Sequence, residues 1–108
     1  MGGMNLIPPV KWANFSDTGT GEIVAAVAGK KIRILAVTFS SASAVALTLQ
    51  DDAGTPNVLL GPFSDVTAGF ALPYSEEGWQ ETASGQALDV VVGALVQSEV
   101  MVAYAEVD

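Results

Sequence analysis

The chain of 108 residues contains no histidine and no cysteine. Histidine is the side chain that most often serves as a general base or as a transition-metal ligand near neutral pH. Cysteine supplies thiol nucleophiles and disulfides, so neither arises in this chain. The serines lack the usual activating imidazole, and only serine–lysine chemistry is left to them. The composition therefore argues against an enzyme.

Basic residues are also scarce, and they are unevenly placed. There are four against twelve acidic residues, which gives a net charge of −8. All four basic residues lie in the first third of the chain: Lys11, Lys30, Lys31 and Arg33. Ten acidic residues follow Arg33 without a further basic residue. A strongly acidic chain is repelled by nucleic acid and by anionic membranes, so we expect neither as a partner. Such a charge favours a soluble particle that resists random association.

Long apolar runs are absent as well. The N-terminal segment MGGMNLIPPVKW has no charged leader and no continuous apolar stretch, so we expect no signal peptide. No run approaches the ~20 apolar residues that a membrane helix needs. The length corresponds to one domain.

The residues that are present favour strands. Half of them are hydrophobic, and eleven glycines and five prolines divide the chain into short runs. This pattern predicts an all-β sandwich or barrel with Greek-key crossings. Of these we expect a single antiparallel β-sandwich or jelly-roll-like domain of about eight strands. We expect that domain over residues 12–108, preceded by an extended N-terminal arm over residues 1–11, which contains Pro8-Pro9. The predicted strands cover residues 12–16, 22–27, 30–39, 45–50, 58–63, 69–74, 79–82, 86–93 and 98–107. Pro62 predicts an edge position or a bend for the fifth of them.

The central prediction is a hairpin over residues 30–52, made of two long strands joined by a polar turn. Simple alternation in its first strand predicts two largely apolar faces. One face would hold Ile32, Ile34, Ala36 and Thr38, and the other Arg33, Leu35, Val37 and Phe39. The last strand is also apolar on both sides, with Val100, Val102 and Tyr104 opposite Met101, Ala103 and Ala105.

A small sandwich buries only one apolar layer. The second apolar faces must therefore be covered by loops, by the arm or by another subunit, and the sequence leaves these alternatives open. The arm itself carries apolar residues suited to docking on a neighbour. The predicted interface comprises Leu6, Ile7, Val10, Trp12, Arg33, Leu35, Val37 and Met101.

Two acidic segments deserve comparison with known sites. Asp51-Asp52 begins an oxygen-rich turn, but the ligand spacing of an EF-hand is absent, so we expect a turn and no calcium site. Glu76, Glu77 and Glu81 flank Trp79, as in a glycosidase with a sugar-stacking aromatic, although loop acids are ordinarily solvated. We expect no catalytic residue, no metal and no cofactor.

Residues 69–92, GFALPYSEEGWQETASGQALDVVV, resemble a recurring pattern in small virion proteins of tailed bacteriophages. The pattern is F-x-L-P-Y, then Gly-Trp, then E-T-A-x-G-x-A-L leading into a strand. Residues 23–50, IVAAVAGKKIRILAVTFSSASAVALTLQ, resemble the same group, and the similarity covers most of residues 22–106.

The resemblance implies a compact β-sandwich or jelly-roll module that serves as a structural virion component of the capsid decoration (cement) type. Such a protein would bind the phage major capsid protein at the capsid surface and be assembled in the cytoplasm of the bacterial host. We expect a homotrimer, because capsid surfaces offer three-fold and quasi-three-fold sites and because two strands have a spare apolar face. The resemblance does not separate head decoration from a neck, tail or fibre-associated role. A carbohydrate-binding or receptor-binding module, with Trp79 and Tyr74 as contacts, remains the alternative.

Overall fold

The computed structural model describes residues 9–66 and 69–108, with the side chains of residues 65 and 66 excepted. These residues form nine strands and contain no helix, and thus no helix able to cross a membrane. The strands are β1 (Lys11–Asp17), β2 (Gly21–Val24), β3 (Lys31–Ser41), β4 (Val45–Asp51), β5 (Val58–Val66), β6 (Phe70–Leu72), β7 (Gln80–Glu81), β8 (Leu88–Val92) and β9 (Ser98–Val107).

The nine strands form two antiparallel sheets that pack face to face. Sheet A has the order β1-β9-β3-β6, with β7 also paired to β3, and sheet B has the order β2-β8-β4-β5. The pairing is nested, because the first strand pairs with the last, the second with the next to last, and β4 with β5. A long antiparallel ribbon folded over itself gives this order, which is the jelly roll. The predicted all-β sandwich is confirmed.

The positions of several predicted strands agree with the structure. β9 occupies the predicted residues, and its two faces are as predicted. β5 lies at the edge of sheet B with an irregular register, as Pro62 requires. β2 is shorter than predicted, since it ends at Val24. β1 begins at Lys11, where it pairs with Tyr104.

The predicted central hairpin is wrong. β3 belongs to sheet A and β4 to sheet B, so the two strands face each other across the core instead of pairing side by side. Their link is held by Ser41, whose Oγ donates to the carbonyl of Ser43 at 2.9 Å. Phe39 of β3 and Leu47 of β4 enter the same core cluster from opposite sheets. Alternating apolar residues are compatible both with a hairpin and with two strands in opposite sheets. The pattern alone therefore could not distinguish them, and the predicted hairpin was incorrect.

The predicted faces of β3 are also wrong, because the strand contains a β-bulge at Leu35. The register with β9 shifts between Ile34 and Ala36. An extra residue reverses the alternation. The core therefore receives Ile32 and Ile34 before the bulge, and Val37 and Phe39 after it. Leu35 instead joins a small buried cluster on the other side of sheet A, with Ala103, Ala105 and Val107.

The main core fills the space between the sheets with branched aliphatic side chains and one aromatic group. The rings of Phe39, Phe63 and Phe70 lie with centroids 4.7 to 5.7 Å apart. Because these rings come from β3, β5 and β6, they join both sheets at one end of the sandwich. Such tilted pairs add to the stabilisation from burial alone.

Asp51 is a buried carboxylate at the end of β4. It accepts hydrogen bonds from the backbone N–H and side-chain amide of Asn57, at 2.9 and 2.8 Å. The backbone N–H groups of Ala83 and Ala53 donate to it at 3.0 and 3.3 Å. Burial by itself would raise the pKa of Asp51, but these hydrogen bonds, those from Asn57 foremost, hold that pKa below its ordinary value. Asp51 thus joins the β4–β5 turn to the segment that precedes β8.

We expect Asp51→Asn to lower the free energy of unfolding by about 2 kcal/mol at pH 7, since an amide offers one acceptor oxygen where the carboxylate offers two. The lowered pKa means that the contribution is present above the unfolded-state value, about 3.9, and is lost as the pH falls through the folded value. Urea unfolding from pH 7 down to pH 3 should show the two proteins converging.

The exposed neighbour provides the control for this experiment. Asp52→Asn should change the free energy of unfolding by less than about 0.5 kcal/mol. Equal stability of Asp51→Asn and the wild type at pH 7 would contradict the assigned role of Asp51.

Candidate functional site

Three rows of side chains cross part of the outer face of sheet A, next to the row that holds Ala105, Arg33 and Glu81. The first row is Trp12, Ala103 and Ala36, because Trp12 of β1 and Ala36 of β3 are both in register with Ala103 of β9. The second row is Asn14, Met101, Thr38 and Ala71, and the third is Ser16, Glu99 and Ser40. Residues opposite each other in an antiparallel ladder point to the same side. We call Trp12, Ala36, Thr38, Met101 and Ala103 the apolar face.

The apolar face contains large side chains that water still reaches. Trp12 is 61% exposed and Met101 is 41% exposed. Between them lies Ala103, which is fully buried within the single chain. A shallow groove of about 350 Å³ runs beside Met101 and is lined by Asn14, Phe15, Ser16, Thr38, Ser40, Glu99, Val100 and Met101. Exposed Trp and Met beside small side chains are typical of a surface that another protein covers.

The three rows contain one carboxylate, Glu99, at the end of the groove. Ser16 Oγ donates to Glu99 Oε2 at 2.8 Å, and Gln97 Nε2 donates to the same oxygen at 3.1 Å. These hydrogen bonds, from Ser16 first and Gln97 second, lower the pKa of Glu99. The carboxylate is therefore held in place at the end of the groove, beside the apolar face, whose five residues carry no charge.

The structure brings together only part of the predicted interface. Trp12 and Met101 belong to the apolar face, and the exposed Val10 immediately precedes β1. Leu6 and Ile7 lie outside the described residues.

The three predicted residues on β3 have different surroundings. Arg33 is partly buried near the beginning of β3, and its Nε lies 2.6 Å from Glu81 Oε2. Leu35 is buried in the outer cluster of sheet A. Val37 is only 1% exposed and packs between the sheets, so it is removed from the interface. The bulge explains this correction, because it turns Val37 inward.

Residues that the sequence prediction omitted complete the site. Asn14, Thr38 and the hydrogen-bonded group of Ser16, Gln97 and Glu99 surround the groove. Because these residues are polar, the sequence alone did not indicate that they belong to an interface. Only the register of β1 and β3 on β9 places them beside Met101.

The outer face of sheet B is acidic by contrast. Asp89 of β8 lies directly opposite Glu22 of β2. Burial first, and then the negative charges of Asp52, Glu22 and Asp51, raise the pKa of Asp89. The two broad faces of the sandwich therefore differ in charge.

Because its folded pKa is raised, ionised Asp89 lowers stability at neutral pH, and this effect disappears once the group is protonated in both states. Asp89→Asn should raise the free energy of unfolding by about 0.5 kcal/mol at pH 7, through relief of the cross-strand repulsion. The gain should vanish near pH 3 and shrink in 1 M salt. Chemical denaturation at both pH values measures it.

Glu106→Gln is the matched control, because Glu106 forms an ion pair with Lys11, whose Nζ lies 3.2 Å from Glu106 Oε2. This substitution should bring no gain. A loss of stability in Asp89→Asn at pH 7 would contradict the account of sheet B.

The other acidic segments have definite places. Both oxygens of Asp51 already accept hydrogen bonds from N–H groups, which would compete with a cation. Within residues 9–66 and 69–108 no three acidic side chains are grouped so as to hold a metal ion. Glu81 is paired with Arg33, whereas Glu76 and Glu77 are exposed.

Comparison of the chain with the models of known protein families gives no match, and comparison with curated protein sequences gives none either.

Proposed function

We propose that the chain is a non-enzymatic structural protein of a tailed-phage virion, of the capsid decoration (cement) type. Two observations support this proposal besides the resemblance of residues 23–50 and 69–92. The nested strand order is the jelly roll, an architecture that viral capsid proteins use repeatedly. The protein also has an uncharged, partly exposed apolar face on an otherwise acidic body, which suits association through one chosen surface.

The apolar face is the observation that carries the proposal. Copies of a chain with net charge −8 repel one another wherever carboxylates meet. Three of the four basic residues are already engaged within the described part of the chain, in the pairs Lys11–Glu106, Arg33–Glu81 and Lys30–Asp108. Contact between copies is therefore favoured where carboxylates are absent, and the apolar face meets that condition.

The assembly that we propose is a homotrimer with the three apolar faces turned toward a common axis. Phage capsids offer three-fold and quasi-three-fold positions, which a closed three-fold oligomer can match. Burying the side chain of Trp12 would contribute on the order of 2 kcal/mol at each contact. Aromatic residues and Met are enriched in such interfaces.

Light scattering at micromolar concentration should give a mass near three chains. Trp12→Ala should weaken self-association by tenfold or more, since each 1.4 kcal/mol changes the dissociation constant about tenfold. Leu95→Ala is the matched control, because Leu95 is a fully accessible side chain of the β8–β9 loop, away from the apolar face, and its loss should leave the mass unchanged. A monomer both in solution and on the virion would overturn the homotrimer.

The direct test of decoration is co-sedimentation with capsids encoded by the same genome. We expect saturable binding to the capsid exterior, through the phage major capsid protein, without any enzymatic activity. Deletion of residues 1–8 leaves β1 intact and should weaken self-association or capsid binding while the melting temperature stays within a few degrees. A lower melting temperature with unchanged binding would assign the arm to the domain itself.

A neck, tail or fibre-associated binding module is the second candidate. The specific observation in its favour is the loop between β6 and β7, which exposes Tyr74 and Trp79. Capsids that fail to bind the protein, together with virions that carry it at the tail, would favour this candidate.

A further inference from the structure

The segment Pro73–Trp79 between β6 and β7, here the tryptophan loop, is anchored at the bulge of β3. β6 and β7 both pair with β3, and the loop leaves and rejoins that strand between them. Ser75 N–H donates to the carbonyl of Leu35, and Trp79 N–H donates to the carbonyl of Ile34, both at 2.8 Å. The loop is thus tied to the sheet by its backbone at both ends.

Trp79 presents its ring to solvent in a fixed orientation. The side chain is 39% exposed, and its indole N–H donates to the carbonyl of Pro73 at 2.9 Å. Indole has no other hydrogen-bonding group, so the ring offers only an apolar π face to a ligand. A ring held in this way loses little conformational entropy when it binds.

An open cleft of about 380 Å³ lies beside Trp79. The cleft is lined by Glu77, Gly78, Trp79, Gln80 and Glu81. Glu81 is oriented by its ion pair with Arg33, and Gln80 and Glu77 are exposed. Carboxylates accept hydrogen bonds, and the amide of Gln80 both donates and accepts.

Gly78 sets the distance between the loop and the strand. Its φ is +85°, a conformation that favours glycine. A Cβ at this position would also collide with the Cγ of Arg33. The tryptophan loop therefore lies directly on Arg33, and the cleft is part of the folded sheet edge.

We propose that this cleft is a saccharide-binding site in which a neutral pyranose stacks on Trp79. A pyranose has an apolar C–H face and a rim of hydroxyl groups, which match the aromatic ring and the polar residues that line the cleft. The negative charge of Glu77 disfavours acidic sugars, whereas the charge of Glu81 is balanced by Arg33. Tyr74, which is 53% exposed, is a second exposed aromatic residue of the same loop. This proposal does not depend on the capsid assignment.

The test is a glycan array probed with the full chain, followed by titration of the best ligand. We expect at least one neutral glycan to be bound, and Trp79→Ala to weaken that binding tenfold or more. Trp79→Phe keeps an aromatic face and should restore most of the affinity. Leu95→Ala, in the β8–β9 loop, should bind as the wild type does. In the Trp12→Phe background, fluorescence of Trp79 should change with saturation on addition of the sugar.

Circular dichroism of each variant separates loss of binding from loss of fold. Absence of any bound neutral glycan would overturn the proposal. Binding only to acidic glycans, or binding that Trp79→Ala leaves unchanged in a folded protein, would overturn it as well. Failure here leaves the self-association and the capsid co-sedimentation of the wild type untouched.

Discussion

The bulge at Leu35 is the constraint on which the organisation of this protein depends. A sandwich has one apolar layer between its sheets, and the longest strand must fill it along its whole length. Without the extra residue, simple alternation would place Ile34 and Val37 on opposite sides of β3. With it, both enter the core, and Leu35 turns outward to Ala103 and Ala105.

The same bulge organises the surface. It interrupts pairing at the edge of β3, so that the partner strand is divided into β6 and β7. The carbonyls of Ile34 and Leu35 then anchor the tryptophan loop between them. The bulge thus connects the core, the outer apolar cluster and the loop that exposes Trp79. Bulges commonly redirect side chains at functional sites in this way.

The sequence predicts those features that depend on local chemistry. Pro62 identifies an edge strand, and the double alternation of β9 identifies a strand with two apolar faces. Trp12 and Met101, which the sequence predicts at an interface, are exposed in the single chain, and their place in an interface stays a prediction. The all-β sandwich also follows from many short strands separated by turns.

The failures concern relations between distant residues. A β3–β4 hairpin and a crossing between sheets have the same apolar periodicity, and only pairing with β9 and β8 decides between them. The sequence predicts Val37 at an interface, although it lies in the core, because no sequence pattern reliably identifies a β-bulge. Asn14 and Thr38 became part of the site only through their register with Met101. Asp51 was interpreted as a turn residue, whereas its buried hydrogen bonds hold two loops together.

We propose that the protein decorates a capsid as a trimer whose copies meet through the apolar face. A reconstruction of the virion by electron microscopy tests it most directly. The account predicts density for this jelly roll on the outside of the head, at three-fold or quasi-three-fold positions, with Trp12 and Met101 buried between copies. Density at the tail alone, or copies that meet through the acidic face of sheet B, would contradict it.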